Sequence, residues 1–140
     1  MSGQGTNYRY VSIGSLQDVQ REMLHDTLEL TGAEVSINRM AAGAWVPFLH
    51  SHKVNEEIYL FIRGRGFFQI DGEQFEVQEG SVGRVDPAGK RCIKAADYED
   101  LTYLCVQVAA GSLNPCESTR DHLVAAAPHP EKAVASLARR

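Results

Sequence analysis

Apolar and polar residues alternate through the middle of the chain with the two-residue period of β-strands. Between positions 33 and 40, Val35 and Ile37 fall on one face and the polar residues fall on the other. From there to position 111, a strand pattern and a turn signal recur about every ten residues without an intervening helical pattern. The further strands predicted in this way are 58–62, 67–70, 74–77, 82–85, 92–95 and 101–108. This spacing is typical of an all-β antiparallel sandwich or barrel.

Glycine-containing turns separate these strands. Asp71-Gly72 lies between two of them and is a strong signal for a two-residue β-hairpin. Gly64-Arg65-Gly66 and Glu79-Gly80 end two other strands. Because glycine allows the backbone to bend sharply at the corners of a sheet, these turns favour a sheet that closes on itself.

The first 32 residues carry a different pattern. A short strand-like run covers positions 8–13. Four residues of the segment that follows share one helical face, namely Met23, Leu24, Thr27 and Leu28. Gly32 lies where a helix would end, which predicts a short N-terminal helix, although the same stretch could also enter a strand.

The last 30 residues, 111–140, contain Pro128 and Pro130, followed by a segment with an acidic start and a doubly basic end. This order of charges complements a helix dipole, so we expect a short C-terminal helix or a tail. A chain of 140 residues is typical of one domain. We therefore predict a single domain over 1–140, with a core barrel at 33–110 between an N-terminal extension and this tail.

Composition narrows the classes of function. With 44% hydrophobic residues, 23% charged residues and a net charge of −4, the chain suggests neither disorder nor a nucleic-acid partner. No apolar stretch is long enough for a membrane span, and the first residues lack the apolar core of a signal peptide. Cys92, Cys105 and Cys116 are an odd number without CxxC spacing. Reduced thiols and a cytoplasmic location are therefore expected.

Candidate metal ligands cluster at positions 50–57. His50 and His52 are one residue apart, so on a strand both side chains project to the same face and can converge on one ion. Imidazole suits zinc, copper, iron and nickel, and a carboxylate such as Glu57 completes the set of two histidines and one carboxylate associated with non-haem iron. A pair of exposed histidines on an edge strand is the alternative explanation for the histidines alone.

The strand that follows Glu57 is apolar on both faces. Glu57 shares its parity with Tyr59 and Phe61, which would line the barrel interior, and Phe48 is a further candidate for the pocket lining. The opposite face carries Ile58, Leu60 and Ile62, which need another cover, supplied by the N-terminal segment or by a second subunit. Because soluble monomers rarely expose such patches, we expect a homodimer.

These residues also form two motifs that resemble those of the cupin superfamily. The first is Gly43, His50-Ser51-His52, four residues, Glu57, six residues and Gly64. The second is Gly80, Pro87-Ala88-Gly89, two residues and then Cys92, where cupins place a histidine. The spacings from Gly43 to His50 and from Gly80 to Pro87 are each one residue longer than usual. The resemblance implies a double-stranded β-helix, or jelly-roll, barrel.

The resemblance also implies a metal, with Cys92 at the position of the fourth ligand. Cys92 has two interpretations. As a thiolate it would complete a four-ligand site and favour a softer metal such as zinc. As a thiol it would be a small buried residue, which leaves three protein ligands and an open position for water or substrate.

Two functions remain open at this point. In the first, the barrel binds a divalent transition metal, which could be iron, zinc, nickel or manganese, and acts on a small organic molecule as a dioxygenase, an isomerase or a similar enzyme. In the second, the barrel binds a small ligand without catalysis and with weak or no metal. Arg84 and Arg91 are candidates for steering an anionic substrate.

Overall fold

A computed structural model of the protein describes residues 2–114. These residues form ten β-strands and one short α-helix. In chain order the elements are β1 (Ser2–Gly5), β2 (Tyr8–Val11), β3 (Arg21–Met23), α1 (Leu24–Leu28), β4 (Glu34–Met40), β5 (Asn55–Arg63), β6 (Arg65–Ile70), β7 (Glu73–Gln78), β8 (Val82–Val85), β9 (Arg91–Ala95) and β10 (Leu101–Ala109). Within this part of the chain, no helix is long and apolar enough to cross a membrane.

The strands form two main antiparallel sheets. The larger sheet has the order β3-β4-β10-β5-β8, and the smaller one has the order β7-β6-β9. Beyond β5 the chain crosses repeatedly from one sheet to the other, because β6 and β7 lie in the smaller sheet, β8 in the larger, β9 in the smaller and β10 in the larger. This crossing confirms the predicted all-β jelly-roll barrel.

Aromatic side chains fill the space between the two sheets. Tyr59 and Phe61 of β5 meet Phe68 of β6, and the rings of Tyr59 and Phe68 have centroids 4.6 Å apart. Tyr103 of β10 completes the cluster at 5.7 Å from Phe61. Burying one such side chain contributes roughly 1.5–3 kcal/mol. The aromatic cluster therefore fixes the position of β5, the strand that carries Glu57.

The hairpin predicted at Asp71-Gly72 connects β6 to β7. Both residues have positive φ angles, 49° and 88°, as the two central residues of a type I′ turn require. Asp71 also accepts a hydrogen bond of 2.8 Å from the backbone N–H of Lys90. The turn is thereby tied to the segment that leads into β9.

The N-terminal region combines both predicted alternatives. The segment starts as a strand, since Arg21 of β3 pairs with Asn38 of β4. The helix is confirmed but spans only Leu24–Leu28, and it ends at Glu29 in the left-handed conformation rather than at Gly32. The residues just before Leu24 form backbone hydrogen bonds with β4 and so cannot belong to the helix. The helix is therefore shorter than the predicted one. The predicted C-terminal helix or tail lies outside the described residues from position 115 onward.

Candidate metal centre

His50 and His52 lie in the segment between β4 and β5, which runs beside β9 without forming a regular strand. The backbone of His50 exchanges two hydrogen bonds with Arg91, of 3.3 and 3.1 Å. The N–H of His52 donates to the carbonyl of Pro87 at 2.8 Å. His50 is thus attached to β9 of the smaller sheet and His52 to the turn that precedes β9, and both rings point to the same region.

Glu57 reaches the same region from the larger sheet. It lies in β5 between Gln107 of β10 and Val85 of β8 and is only 2% exposed. Tyr59 and Phe61 share its inward face and are buried as well. A carboxylate at this depth requires partners, because burying an unpaired charge is costly.

The side chains of His50, His52 and Glu57 converge. One possible ligand atom from each lies within 4.8 Å of the others. Nε2 of His52 is 2.8 Å from Oε1 of Glu57, and Nε2 of His50 is 3.9 Å from Oε2. Atoms bound to one ion at about 2.1 Å lie at most about 4.2 Å apart, so the separations in this cluster exceed that limit by at most about 0.6 Å.

The second oxygen of Glu57 has its own partners. Oε2 accepts a hydrogen bond from the hydroxyl of Tyr59 and another, of 2.9 Å, from Nε of Arg91. Nη1 of Arg91 donates to the carbonyl of Gly89 at 2.6 Å. Nη2 lies 2.9 Å from the same Oε2 but makes no hydrogen bond within the described part of the chain. These contacts hold Oε2 and leave Oε1 facing His52.

The surroundings set protonation states that suit a metal. Burial would raise the pKa of Glu57, but the Tyr59 hydroxyl, the Arg91 guanidinium and His52 together lower it below its ordinary value. Burial lowers the pKa of His50, and although Glu57 opposes this, the nearby Arg91 and His52 lower it further. At neutral pH the site therefore offers a carboxylate and, at His50, a neutral imidazole.

The ring nitrogen of His50 that does not face Glu57 has no partner among the described residues. Nδ1 of His50 is buried and has no hydrogen-bond partner among residues 2–114. Such a nitrogen is costly unless a ligand, a cation or a water satisfies it. Two imidazoles and one carboxylate are the donor set of mononuclear sites for divalent transition metals, so the residues present fit such an ion.

Cys92, predicted as a doubtful fourth ligand, is not brought into this cluster. Its thiol lies 3.4 Å from Oε1 of Gln69 and donates to it. In β9, Arg91, Ile93 and Ala95 are buried, while Cys92 and Lys94 alternate with them on the other face. Arg91 therefore takes the barrel-facing position next to Glu57. The period-two pattern of Ile93 and Ala95 could have identified Arg91, whereas counting residues along the motif led to its neighbour.

The predicted pocket lining is corrected at one residue. Tyr59 and Phe61 are buried in the interior, but Phe48 is 61% exposed. Its ring lies beside that of His50, with centroids 6.2 Å apart, at the outer edge of the site. Phe48 belongs to the irregular segment between β4 and β5, where no alternation indicates the direction of a side chain. Tyr103, which the prediction missed, lines the interior instead and shares the parity of Leu101 and Cys105.

Comparisons with known proteins agree with this architecture. Residues 37–107, just over half of the chain, match the family model of the cupin domain. The crystal structure of a cupin protein from Bacteroides fragilis is 46% identical and has a TM-score of 0.75, covering 89% of this chain and all of that one. A Cupin 2 conserved barrel domain protein from Salinispora arenicola, at 21% identity and a TM-score of 0.56, covers 64% of this chain and 75% of that one and shows a likeness of fold alone.

Sequence comparison also found an uncharacterized relative. An uncharacterized protein from Methanocaldococcus jannaschii is 34% identical over 90 residues, which are 61% of this chain and 68% of the relative. The family match and the Bacteroides structure confirm the resemblance drawn from the two motifs. This chain belongs to the cupin family.

Proposed function

We propose that the barrel binds one divalent transition metal through His50, His52 and Glu57 and uses it on a small organic molecule. The observation that carries this proposal is the convergence of three possible ligand atoms within 4.8 Å of one another. The donor set is compatible with iron, zinc, nickel or manganese. With three protein ligands, at least one coordination position stays open for water or substrate.

The exposure of the site residues suggests the direction of approach. The side chains of His50 and His52 are 37% and 27% exposed, whereas Glu57 and Arg91 form a buried floor. A small molecule therefore approaches from the side of the histidines. When bound, a divalent metal supplies a Lewis acid or an oxygen-binding centre, which suits reactions of the dioxygenase or isomerase type. Tyr59 stays protonated, because burial, the neighbouring Cys105 and Glu57 raise its pKa, and its hydroxyl keeps Glu57 in place.

Metal analysis of protein purified without an affinity tag tests the proposal. We expect close to one metal ion per chain by mass spectrometry, and a loss of most of it in His50→Ala, His52→Ala and Glu57→Gln. His25→Ala is the matched control, since His25 is exposed and distant in sequence from the site. A wild-type protein that stays metal-free when titrated with each candidate metal contradicts the proposal.

A second candidate function is a metal-free barrel that binds a small ligand without catalysis. The contacts of Arg91 and Tyr59 favour it, because they satisfy one oxygen of Glu57 without any metal. Calorimetry on protein stripped with a chelator separates the two candidates. Ligand binding that survives complete metal removal supports the second candidate, and ligand binding that returns only with metal supports the first.

We also propose that the chain forms a homodimer in the reducing cytoplasm. Leu60 of β5 and Val82 of β8 are paired neighbours on the outer face of the larger sheet and are 38% and 66% exposed. A second copy would cover this face. Light scattering after gel filtration should give the mass of a dimer for the wild type. Leu60→Glu should dissociate this dimer, whereas the control Val54→Glu in the exposed loop should leave it intact. A monomeric wild type contradicts the proposal. The free thiols of Cys92 and Cys105 suit the location.

A further inference from the structure

Arg91 is a charged side chain without any exposed surface, placed directly behind the candidate metal ligands. Its side chain is 0% exposed, and its Nε is 2.9 Å from Oε2 of Glu57. A guanidinium stays protonated in proteins, so it remains charged even at this depth. Arg91 therefore contributes a permanent positive charge to the floor of the site.

The charges of this floor cancel. Among the described residues, the buried polar or charged ones are Ser36, Glu57, Arg91 and Thr102, so Glu57 and Arg91 are the buried charges. A metal ion binds histidine as a neutral imidazole and glutamate as a carboxylate, so with the guanidinium of Arg91 the protein charge at a loaded site sums to zero. A site built from two histidines and one carboxylate alone would leave a divalent ion with a net charge of +1. Here the loaded centre keeps a net charge of +2.

We infer that Arg91 is a positioning and charge-setting residue that makes the metal-loaded centre prefer anionic ligands, such as small carboxylates, at the expense of metal affinity. This inference rests on the proposed function. Arg91 is covered by protein, while the histidines are partly exposed, so an incoming ligand binds on the open side of the ion. The ligand then interacts with the guanidinium electrostatically, without direct contact. Charges act over longer distances in a poorly solvated interior than in water.

The two roles of Arg91 have a common geometric origin. Its contact with Oε2 of Glu57 leaves Oε1 directed at His52, 2.8 Å away. One oxygen of the carboxylate is then available to an ion. The same contact brings the positive charge close to the ion, which repels the metal and attracts anions.

Cobalt(II) is a suitable probe, because its visible absorption reports both its own binding and the binding of further ligands. We expect Arg91→Gln to bind cobalt about tenfold more tightly and, once loaded, to bind azide about tenfold more weakly than the wild type. Affinity for neutral imidazole should change less than twofold. Arg91→Lys, which keeps the charge, should bind cobalt and azide with affinities close to those of the wild type. Arg84→Gln, which removes an exposed arginine paired with Asp86, should change neither.

The opposite directions of the two changes separate this role from a merely structural one, since a loosened site would bind both cobalt and azide more weakly. A wild type that takes up neither cobalt nor iron, zinc, nickel or manganese overturns the proposed function, and if one of the latter binds but cobalt does not, the same azide comparison is made with that metal. A wild type that loads cobalt, combined with an Arg91→Gln variant whose two affinities stay unchanged or shift in the same direction, overturns the inference alone.

A second measurement keeps the inference testable if Arg91→Gln does not fold. The wild type provides this test by itself. For the cobalt-loaded wild type, the affinity for azide is divided by the affinity for imidazole, and the result is compared with the same ratio for aqueous cobalt. The ratio for the protein should be about ten times the ratio for aqueous cobalt. A ratio for the protein at or below that for aqueous cobalt refutes the inference without any variant.

Discussion

Removing the arginine from the Arg91–Glu57 pair should strongly destabilise the metal-free protein. In Arg91→Met, Glu57 remains 2% exposed but loses the guanidinium that lies 2.9 Å from its Oε2. Removing one partner of a buried pair costs about 3–5 kcal/mol, because the other charge stays buried without compensation. The free energy of unfolding should therefore fall by this amount, which corresponds to a decrease of about 10–20 °C in melting temperature.

The assay is denaturant unfolding in the presence of a chelator, followed by circular dichroism. The double variant Glu57→Gln/Arg91→Met should recover a large part of the loss, since neither charge is then left alone. Arg84→Met is the control, because Arg84 pairs with Asp86 at the surface, where such pairs contribute at most about 1 kcal/mol. A loss below about 1 kcal/mol in Arg91→Met would refute the claim that this pair is shielded from water.

Two further predictions concern pH and backbone conformation. Because the folded state lowers the pKa of His50 below 6.5 and that of Glu57 below 4.5, the unfolded chain takes up these protons first. Melting temperatures should therefore fall as the pH drops through 6.5 and again below 4.5. Glu57→Gln should reduce the second decrease, and Asp100, whose pKa is also lowered by Arg39, should keep the rest; parallel curves for both proteins would contradict this. Gly64 and Gly72 have similar φ angles of 86° and 88°, but a Cβ at Gly64 would lie 1.8 Å from the carbonyl oxygen of Asp100, whereas one at Gly72 meets nothing within 4 Å. Gly72→Ala should lower the free energy of unfolding by about 1–2 kcal/mol and Gly64→Ala by clearly more, as measured by denaturant unfolding. Equal losses would show that the contact with Asp100 is unimportant.

The sequence predicted the parts of this molecule where alternation is regular. In β5, the parity of Glu57, Tyr59 and Phe61 indicated the inward face, and Asp71-Gly72 indicated the hairpin, because both signals depend on neighbouring residues only. The jelly-roll order of the strands came from the cupin motifs rather than from alternation, since strand pairing between distant segments leaves no local pattern.

The structure differs from an expectation or decides between alternatives where a motif or a residue type, rather than parity, was followed. Cys92 matched a ligand position by counting, yet the alternation in β9 places Arg91 toward Glu57. Phe48 was expected inside because it is aromatic, but its segment has no period that fixes its direction. Similarly, the length of α1 depended on the pairing of β3 with β4, a tertiary contact that local propensity does not describe.

The donors of the candidate centre come from different layers of the barrel. His50 is attached to β9 in the smaller sheet, and Glu57 belongs to β5 in the larger sheet. An ion held by both would add a second polar cross-link between the two layers, beside the Arg91–Glu57 pair. Metal loading would then slow amide hydrogen exchange in β5 and β9 together. The exchange rates of these two strands would therefore report on the occupancy of the site.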